Sequence, residues 1–406
     1  MSDNPIIIVG AGQAGLQVAD SLRRGGYDGG IVLVGEEPFL PYQRPPLSKQ
    51  YMSGEMADER LLFRPADYYE TKTIEVIRDA RITEISLSER SVIINGTRRN
   101  YHKLALTTGA AVRKLTVPGA QQGSVYYLRD IADATAIRAK LSTDSLRVVA
   151  IGGGFIGLEI AAAARELGHS VTVVEAQDRL MARVVAPLVS DFYLDLHRRH
   201  TVDVLLDTGV SRIDENSDGS LKVVLTDGRE VAADIVVVGV GSIPRSELAQ
   251  TCGIACGNGI IVDEFAQTSD PHVVAAGDCT MHKNIRIKAP HRLESVQNAV
   301  DQAKVAAATL LGDSKPYDQI PWFWSDQFEA KLQIVGTSIG HDDVVLRGAP
   351  DSGAFSCFYY HRDDLIGVDS VNRPADHLVS RKLIAACSSV PKRMVSDLDG
   401  NLKSLL

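Results

Sequence analysis

No cysteine appears before Cys252, and the 406-residue chain holds only five. So sparse and odd a set argues against a disulfide framework. Cys252 and Cys256 have three residues between them, with no histidine or second cysteine pair nearby. Incidental thiols are the better reading there, and no metal site is expected. Long apolar runs are missing as well: none approaches the roughly 20 residues that span a bilayer. Basic residues are in deficit, with 43 Lys and Arg against 51 Asp and Glu and a net charge of −8. Such a balance disfavours generic nucleic-acid binding. The N-terminus, Met1-Ser2-Asp3-Asn4-Pro5, carries no basic stretch before its first strand, so a cytoplasmic protein without membrane attachment is expected. Low-complexity segments are absent, and the length suits two or three domains.

What is present is a duplicated pattern. Ile6 to Val9 is a short apolar run of the kind a buried parallel strand needs. Gly10-Ala11-Gly12-Gln13-Ala14-Gly15 follows at once, and Leu16 to Leu22 reads as a helix. Gly10 permits the tight turn, Gly12 lets a pyrophosphate approach the backbone, and Gly15 lets helix and strand pack closely. The helix start then offers unsatisfied N–H groups and a favourable dipole to the phosphates. A second strand, Ile31 to Val34, ends before Glu36, whose carboxylate suits ribose hydroxyls.

The unit recurs. Leu146 to Ile151 is a strand, Gly152-Gly153-Gly154-Phe155-Ile156-Gly157 the turn, and Leu158 to Leu167 an alanine-rich helix that Gly168 ends. Ser170 to Val174 leads to a second acid, Glu175. A carboxylate there favours the 2′-OH of NADH over the 2′-phosphate of NADPH, while Arg179 and Arg183 either soften that preference or are ordinary surface charge. Two dinucleotide units in one chain point to a tightly held flavin, FAD, that accepts hydride from a mobile nicotinamide, NADH. A cysteine pair soon after the first turn would make a disulfide reductase, but the corresponding region, Tyr42 to Met52, has none. Electrons must then leave the flavin directly, which favours a one-electron protein acceptor.

Three segments are more specific than the glycine turns. They are Glu36-Glu37-Pro38-Phe39-Leu40-Pro41-Tyr42-Gln43-Arg44-Pro45-Pro46-Leu47-Ser48-Lys49, then Thr268 through Gly277-Asp278, then Pro321-Trp322-Phe323-Trp324-Ser325-Asp326-Gln327. On these the chain resembles, over nearly its whole length, the FAD-dependent NADH:ferredoxin reductases that serve bacterial cytochromes P450 and Rieske dioxygenases. It also resembles rubredoxin reductases and apoptosis-inducing factor. The resemblance implies an α/β fold of glutathione reductase-like architecture: two Rossmann-like dinucleotide-binding domains plus an α+β C-terminal domain. It divides the chain into an FAD-binding domain at 1–110 and 243–318, an NADH-binding domain at 111–242 and a C-terminal domain at 319–406. In that last part, segments near 331–336, 344–347, 355–360 and 365–370 alternate as antiparallel strands do, and 379–387 reads as a helix.

The resemblance also implies roles. Gly10, Gly12, Ala14, Gly15, Glu36, Arg44, Lys49, Asp278, Val296 and Trp324 are expected around FAD, with Asp278 on its ribitol. Gly152, Gly154, Phe155, Ile156, Gly157, Glu175 and Arg183 are expected around NADH. Lys49 is expected to pair with Glu159 near the flavin. Phe155 either covers the flavin face or belongs to the core, and the helix after Glu294-Ser295-Val296 aims its first amides at the flavin. Hydride transfer itself needs no acid or base, so positioning is the main catalytic effect. The implied partner is an acidic [2Fe-2S] ferredoxin, docked near Trp324 unless that ring is a core residue under the sheet; Arg64 and Arg292 are either its basic contacts or ordinary surface charge, and the reductase is expected to be a monomer. The segments Val184 to Ser190 and Val371-Asn372-Arg373-Pro374 look closest to the P450-associated branch. A Rieske-system reductase and a rubredoxin reductase are the enzymatic rivals. An NADH-sensing interaction flavoprotein is the reading of another class.

Overall fold

The computed structural model describes residues 4–283 and 290–406. Met1–Asp3, part of the leader argument above, lie outside the described residues. The chain forms two compact units, each drawn from three stretches of sequence: 1–43, 58–111 and 243–321 in the first, and 44–57, 112–242 and 322–406 in the second.

The first unit is built on a five-stranded parallel sheet in the order Val273–Ala275, Lys103–Leu106, Ile6–Val9, Ile31–Val34, Ile74–Ile77. Its central strands read IIIV and IVLV and are buried throughout, because helices or further strands cover both faces. One face carries the packed helices Gln13–Arg24 and Val296–Leu311. The other carries a three-stranded antiparallel sheet of Ile82–Ser86, Ser91–Ile94 and Thr97–Asn100.

The second unit repeats the plan with the parallel order Asp203–Leu205, Ser170–Val174, Arg147–Ile151, Ile235–Val238, Val125–Tyr127. A three-stranded antiparallel sheet, Val210–Glu215, Leu221–Leu225 and Glu230–Ala233, packs into the same core. The unit also holds a five-stranded antiparallel sheet in the order Trp322–Gln327, Ala330–Gly336, Asp364–Val371, Ala354–His361, Asp343–Ala349. Helix Pro374–Ala385 lies against it. No described helix is long and apolar enough to cross a membrane.

The element ends differ from the sequence reading for identifiable reasons. The glycine-turn helices begin at Gln13 and Phe155, three residues before the first apolar repeat, because the turn residues already hold helical geometry. The C-terminal helix begins at Pro374, whose fixed φ and missing N–H suit the first helical position. It stops at Ala385, two residues before Cys387, which takes a left-handed φ of 50°.

Two ionisable side chains lie deep in the antiparallel sheet. Arg347 donates from Nη1 to the carbonyls of Met394 at 3.3 Å, Val395 at 3.1 Å and Asp397. Its Nη2 donates to those of Leu398 and Gly400, each at 3.0 Å, and its Nε lies 3.4 Å from Asp376. Asp369 is buried and accepts the Tyr359 hydroxyl proton at 2.6 Å. Burial pushes the Asp369 carboxyl up to about 7, with the Tyr359 hydrogen bond opposing the shift. A raised carboxyl stabilises the fold only while protonated, so stability falls as pH rises from about 4, the unfolded value, to about 7. Asp369→Asn should remove that decline and raise stability at pH 8 by up to about 4 kcal/mol. Denaturant midpoints at pH 5 and pH 8 check this; parallel pH curves for the two proteins would rule it out.

Candidate active site

Both glycine turns have the same internal logic. Gly10 and Gly152 each take φ of +108°, a conformation that L side chains rarely adopt. A Cβ on Gly15 would lie 1.9 Å from the Gly10 carbonyl oxygen, and one on Gly157 would lie 2.0 Å from that of Gly152. Glycine at these two places is what lets each helix sit on its strand. Gly12 and Gly154 are different: a Cβ there would meet nothing within 4 Å. They cap their helices without any side-chain hydrogen bond. Each turn therefore leaves open space in front of helix amides that no side chain caps, as a pyrophosphate requires. The residues present fit a dinucleotide at both places.

In the first unit Glu36 follows its strand and bonds Arg245 at 2.6 Å, with Arg81 at 3.7 Å. Gly277 approaches the first turn so closely that its Cβ would lie 3.2 Å from that of Ala14. The turn bearing Asp278 is thereby brought beside the glycine helix. Val296 opens helix Val296–Leu311, and Ser295 caps it by accepting from the Asn298 N–H at 3.0 Å. That amide is committed to the cap rather than to a ligand. Arg64 lies over the Tyr68 ring at 5.2 Å. Arg292 pairs with Glu294 at 2.5 Å and its side chain is only 12% exposed. It thus offers a partner less free charge than the sequence reading assumed.

In the second unit Glu175 reaches back onto its own turn. One oxygen accepts from the Gly153 N–H at 2.6 Å and the other from the Gln177 N–H at 2.8 Å. Arg179 is tied into its own loop rather than left as loose surface charge. It donates to the Val185 carbonyl at 2.8 Å, the Ser190 hydroxyl at 2.9 Å and the Ala182 carbonyl at 2.6 Å, tying the loop that follows it. Arg183 is exposed, with its guanidinium near Gly241.

Lys49 and Glu159 meet as an ion pair at 2.6 Å, although 110 positions separate them. The 3-10 helix Pro45–Ser48 presents the lysine, and helix Phe155–Glu166 presents the glutamate one turn in from the second glycine turn. Glu159 is 4% exposed and Lys49 14%. Two hydroxyls that the sequence did not mark complete the carboxylate's coordination: Ser48 donates to it at 2.5 Å and Ser325 at 2.7 Å. Their signal was present but quiet. Ser48 precedes the lysine, and Ser325 alternates with the aromatics of its strand. Arg44 is held by the Arg129 carbonyl at 2.7 Å. Phe155 and Ile156 begin the glutamate's helix. Ile156 is exposed, while the half-buried Phe155 ring lies 4.6 Å from that of Phe323. Trp322 and Trp324 follow in the same aromatic row, their rings 5.6 Å apart. Phe155 is thus part of an aromatic cluster and is still partly open to solvent. Burial pushes the thiols of Cys252, Cys256 and Cys279 up, away from the reactive thiolate. Among the described residues no His, Cys, Asp and Glu group could hold a metal ion.

Comparison with known proteins matches residues 4–303 to the pyridine nucleotide-disulphide oxidoreductases and residues 322–406 to the reductase C-terminal family. Rhodocoxin reductase of Rhodococcus erythropolis is 44% identical over 399 residues, covering 98% of this chain and 93% of its own. The ferredoxin reductase for the CYP199A2 system from Rhodopseudomonas palustris superposes with a TM-score of 0.96 at 44% identity, covering 99% of each chain. The reductase chain of the covalent putidaredoxin reductase–putidaredoxin complex gives 0.96 at 38% identity, covering 100% of this chain and 98% of that one.

Proposed function

We propose the following for this chain, which belongs to the putidaredoxin reductase-like ferredoxin reductases of the pyridine nucleotide-disulphide oxidoreductase family. It is an NADH:ferredoxin reductase whose acceptor is a [2Fe-2S] ferredoxin that supplies a cytochrome P450. FAD, when bound, supplies the conversion of one hydride into two single-electron transfers. The observation that carries this reading is the Lys49–Glu159 pair, its glutamate buried on the helix that leaves the second glycine turn, in a chain with no cysteine before Cys252.

Each residue's part follows from its chemistry. Gly10, Gly12 and Gly15 make room for FAD phosphates and the helix amides hold them, with Ala14 beside that turn. Glu36 and Asp278 accept hydroxyl protons of the cofactor's sugars. Arg44, Lys49, Val296 and Trp324 are the residues that would serve the FAD ring, with Glu159 holding the charge of Lys49 in place. Gly152, Gly154 and Gly157 do for NADH what the first turn does for FAD, with Ile156, Phe155 and Arg183 around it. Phe155 would shield the FAD ring from water before NADH binds. Residues 1–110 with 243–318 serve FAD, 111–242 serve NADH, and 319–406 serve the partner, with Arg64, Trp324 and in lesser measure Arg292 in contact. The setting is cytoplasmic, which cell fractionation checks.

The deciding experiment compares a [2Fe-2S] ferredoxin with a rubredoxin as acceptor under NADH. A ferredoxin kcat/KM higher by orders of magnitude, falling as salt is added, is expected. A preference for rubredoxin would reverse the assignment. Slow flavin reduction without acceptor turnover would favour the NADH-sensing role instead.

Glu175 supplies a further prediction. Its carboxylate would meet a 2′-phosphate with like charge, so Glu175→Ala should lower the NADH-over-NADPH ratio of kcat/KM about tenfold, the equivalent of ~1.4 kcal/mol. Equal ratios in the two proteins would take Glu175 out of cofactor choice.

A further inference from the structure

The carboxylate of Glu159 is the end of a longer buried chain. Ser325 Oγ lies 2.7 Å from Glu159 Oε1, Gln327 Nε2 lies 3.1 Å from Ser325 Oγ, and His197 Nε2 lies 2.9 Å from Gln327 Oε1. All four residues are buried. Ser325 and Gln327 are two apart on strand Trp322–Gln327, so they face the same side, and His197 sits on the buried face of helix Pro187–Arg199.

The direction of every bond in this chain is forced. An ionised carboxylate only accepts, so the Ser325 proton must point at Glu159. The Ser325 oxygen then has only lone pairs to offer Gln327, which must present its amide N–H. The opposite amide orientation would set two acceptors against each other. The second N–H of Gln327 points towards Met181 Sδ at 4.0 Å, consistent with nitrogen at that position. Gln327 Oε1 is left to accept, so His197 must carry its proton on Nε2. His197 Nδ1 accordingly has no hydrogen-bond partner among the described residues. Burial holds the imidazole down to about 4, so it remains neutral.

We propose that His197, Gln327 and Ser325 form a one-way hydrogen-bond chain that keeps Glu159 ionised and oriented, and so fixes the charge of Lys49. The three are positioning residues for the site assigned above, and the inference rests on that reading. Three donor dipoles align towards one buried negative charge, each bond polarising the next. The carboxylate also takes Ser48 and Lys49 on its other oxygen, Oε2. Among the described residues, Lys49 and, from helix Pro187–Arg199, Tyr193 face Glu159; His200 of that helix stands beside His197. The strand that carries the partner-side aromatics is thereby wired to the hydride-transfer side, so its identity at positions 325 and 327 is a matter of electrostatics as well as packing.

The test reads the carboxyl directly. Infrared difference spectra of the FAD-loaded protein across pH show the C=O stretch of any protonated Glu159, assigned by its loss in Glu159→Gln. In Ser325→Ala that band should appear about 1–2 pH units higher than in the wild type, the loss of one hydrogen bond to a charged acceptor. Ser325→Thr, which keeps the hydroxyl, should restore the wild-type midpoint. Histidine-labelled ¹⁵N spectra should show His197 as the Nε2–H tautomer, and Gln327→Leu should shift that resonance. In stopped-flow work, the acidic fall in reduction by NADH should set in at higher pH in Ser325→Ala than in the wild type. An unchanged carboxyl midpoint in Ser325→Ala, or an Nδ1–H tautomer of His197, would overturn the chain. A wild-type protein that NADH does not reduce would instead overturn the functional reading, while the infrared result still decides the chain.

Discussion

Arg347→Met is expected to destabilise the protein by about 3–5 kcal/mol, the usual penalty for removing one side of a buried, hydrogen-bonded charge. The guanidinium gathers five backbone carbonyls from residues 394–400 and lies against Asp376. No neutral side chain can answer those carbonyls, and water cannot reach them without opening the segment. Asp376 keeps Arg373 as a second partner, so the loss falls mainly on the C-terminal segment. Lysine should rescue little, because three donors on one ammonium cannot match a planar fork that serves five acceptors. Denaturant unfolding gives the size of the effect, and limited proteolysis gives its place. Cleavage after residue 390 should precede cleavage elsewhere in the variant. Equal midpoints for wild type and variant would show that the carbonyl cage is ornamental.

The second large effect separates two glycines of one turn. Gly154→Val should fold normally, because a Cβ at that place meets nothing within 4 Å. The valine instead fills the space in front of the helix amides. A misfit of about 1–3 kcal/mol at the pyrophosphate corresponds to a roughly 5- to 150-fold weaker NADH affinity. Gly157→Ala should do the reverse, since its methyl would lie 2.0 Å from the Gly152 carbonyl oxygen. That variant must push the helix off its strand, so unfolding temperature drops along with NADH binding. Calorimetry on both proteins, with NADH titration, distinguishes the outcomes. Matched behaviour of the two variants would mean that the glycines are not doing separate jobs.

This division of labour was legible in the sequence because the motif is local: six residues, one strand and one helix state it in full. The antiparallel C-terminal strands were legible too, since alternation survives in one dimension. The Lys49–Glu159 contact was not readable from spacing, and only the family resemblance suggested it. Two polar residues 110 positions apart carry no mark of each other. Ser48, Ser325, Gln327 and His197 were missed for a related reason. A polar residue among apolar ones reads as a solvent-facing position, and only the three-dimensional neighbour shows that it is inward and satisfied. Arg179 is a different case. Its place after an acid left it either a softener of the Glu175 preference or ordinary surface charge, and the three oxygens from 182, 185 and 190 that it bonds could not be read from the sequence. Arg347 gave no signal at all, because backbone carbonyls leave no trace in a sequence.

The strand order of the first parallel sheet has a consequence for synthesis of the chain on the ribosome. Lys103–Leu106 finds its outer neighbour only in Val273–Ala275. That partner is translated on the order of 170 residues later, a delay of about 10–30 seconds at ordinary elongation rates. Until then an apolar strand edge stays open while the whole intervening nucleotide unit is made. An open edge is a template for pairing with another nascent chain. Expression that crowds ribosomes on one message should therefore yield aggregates seeded at residues 103–106, and slower translation should recover native protein without any change of sequence.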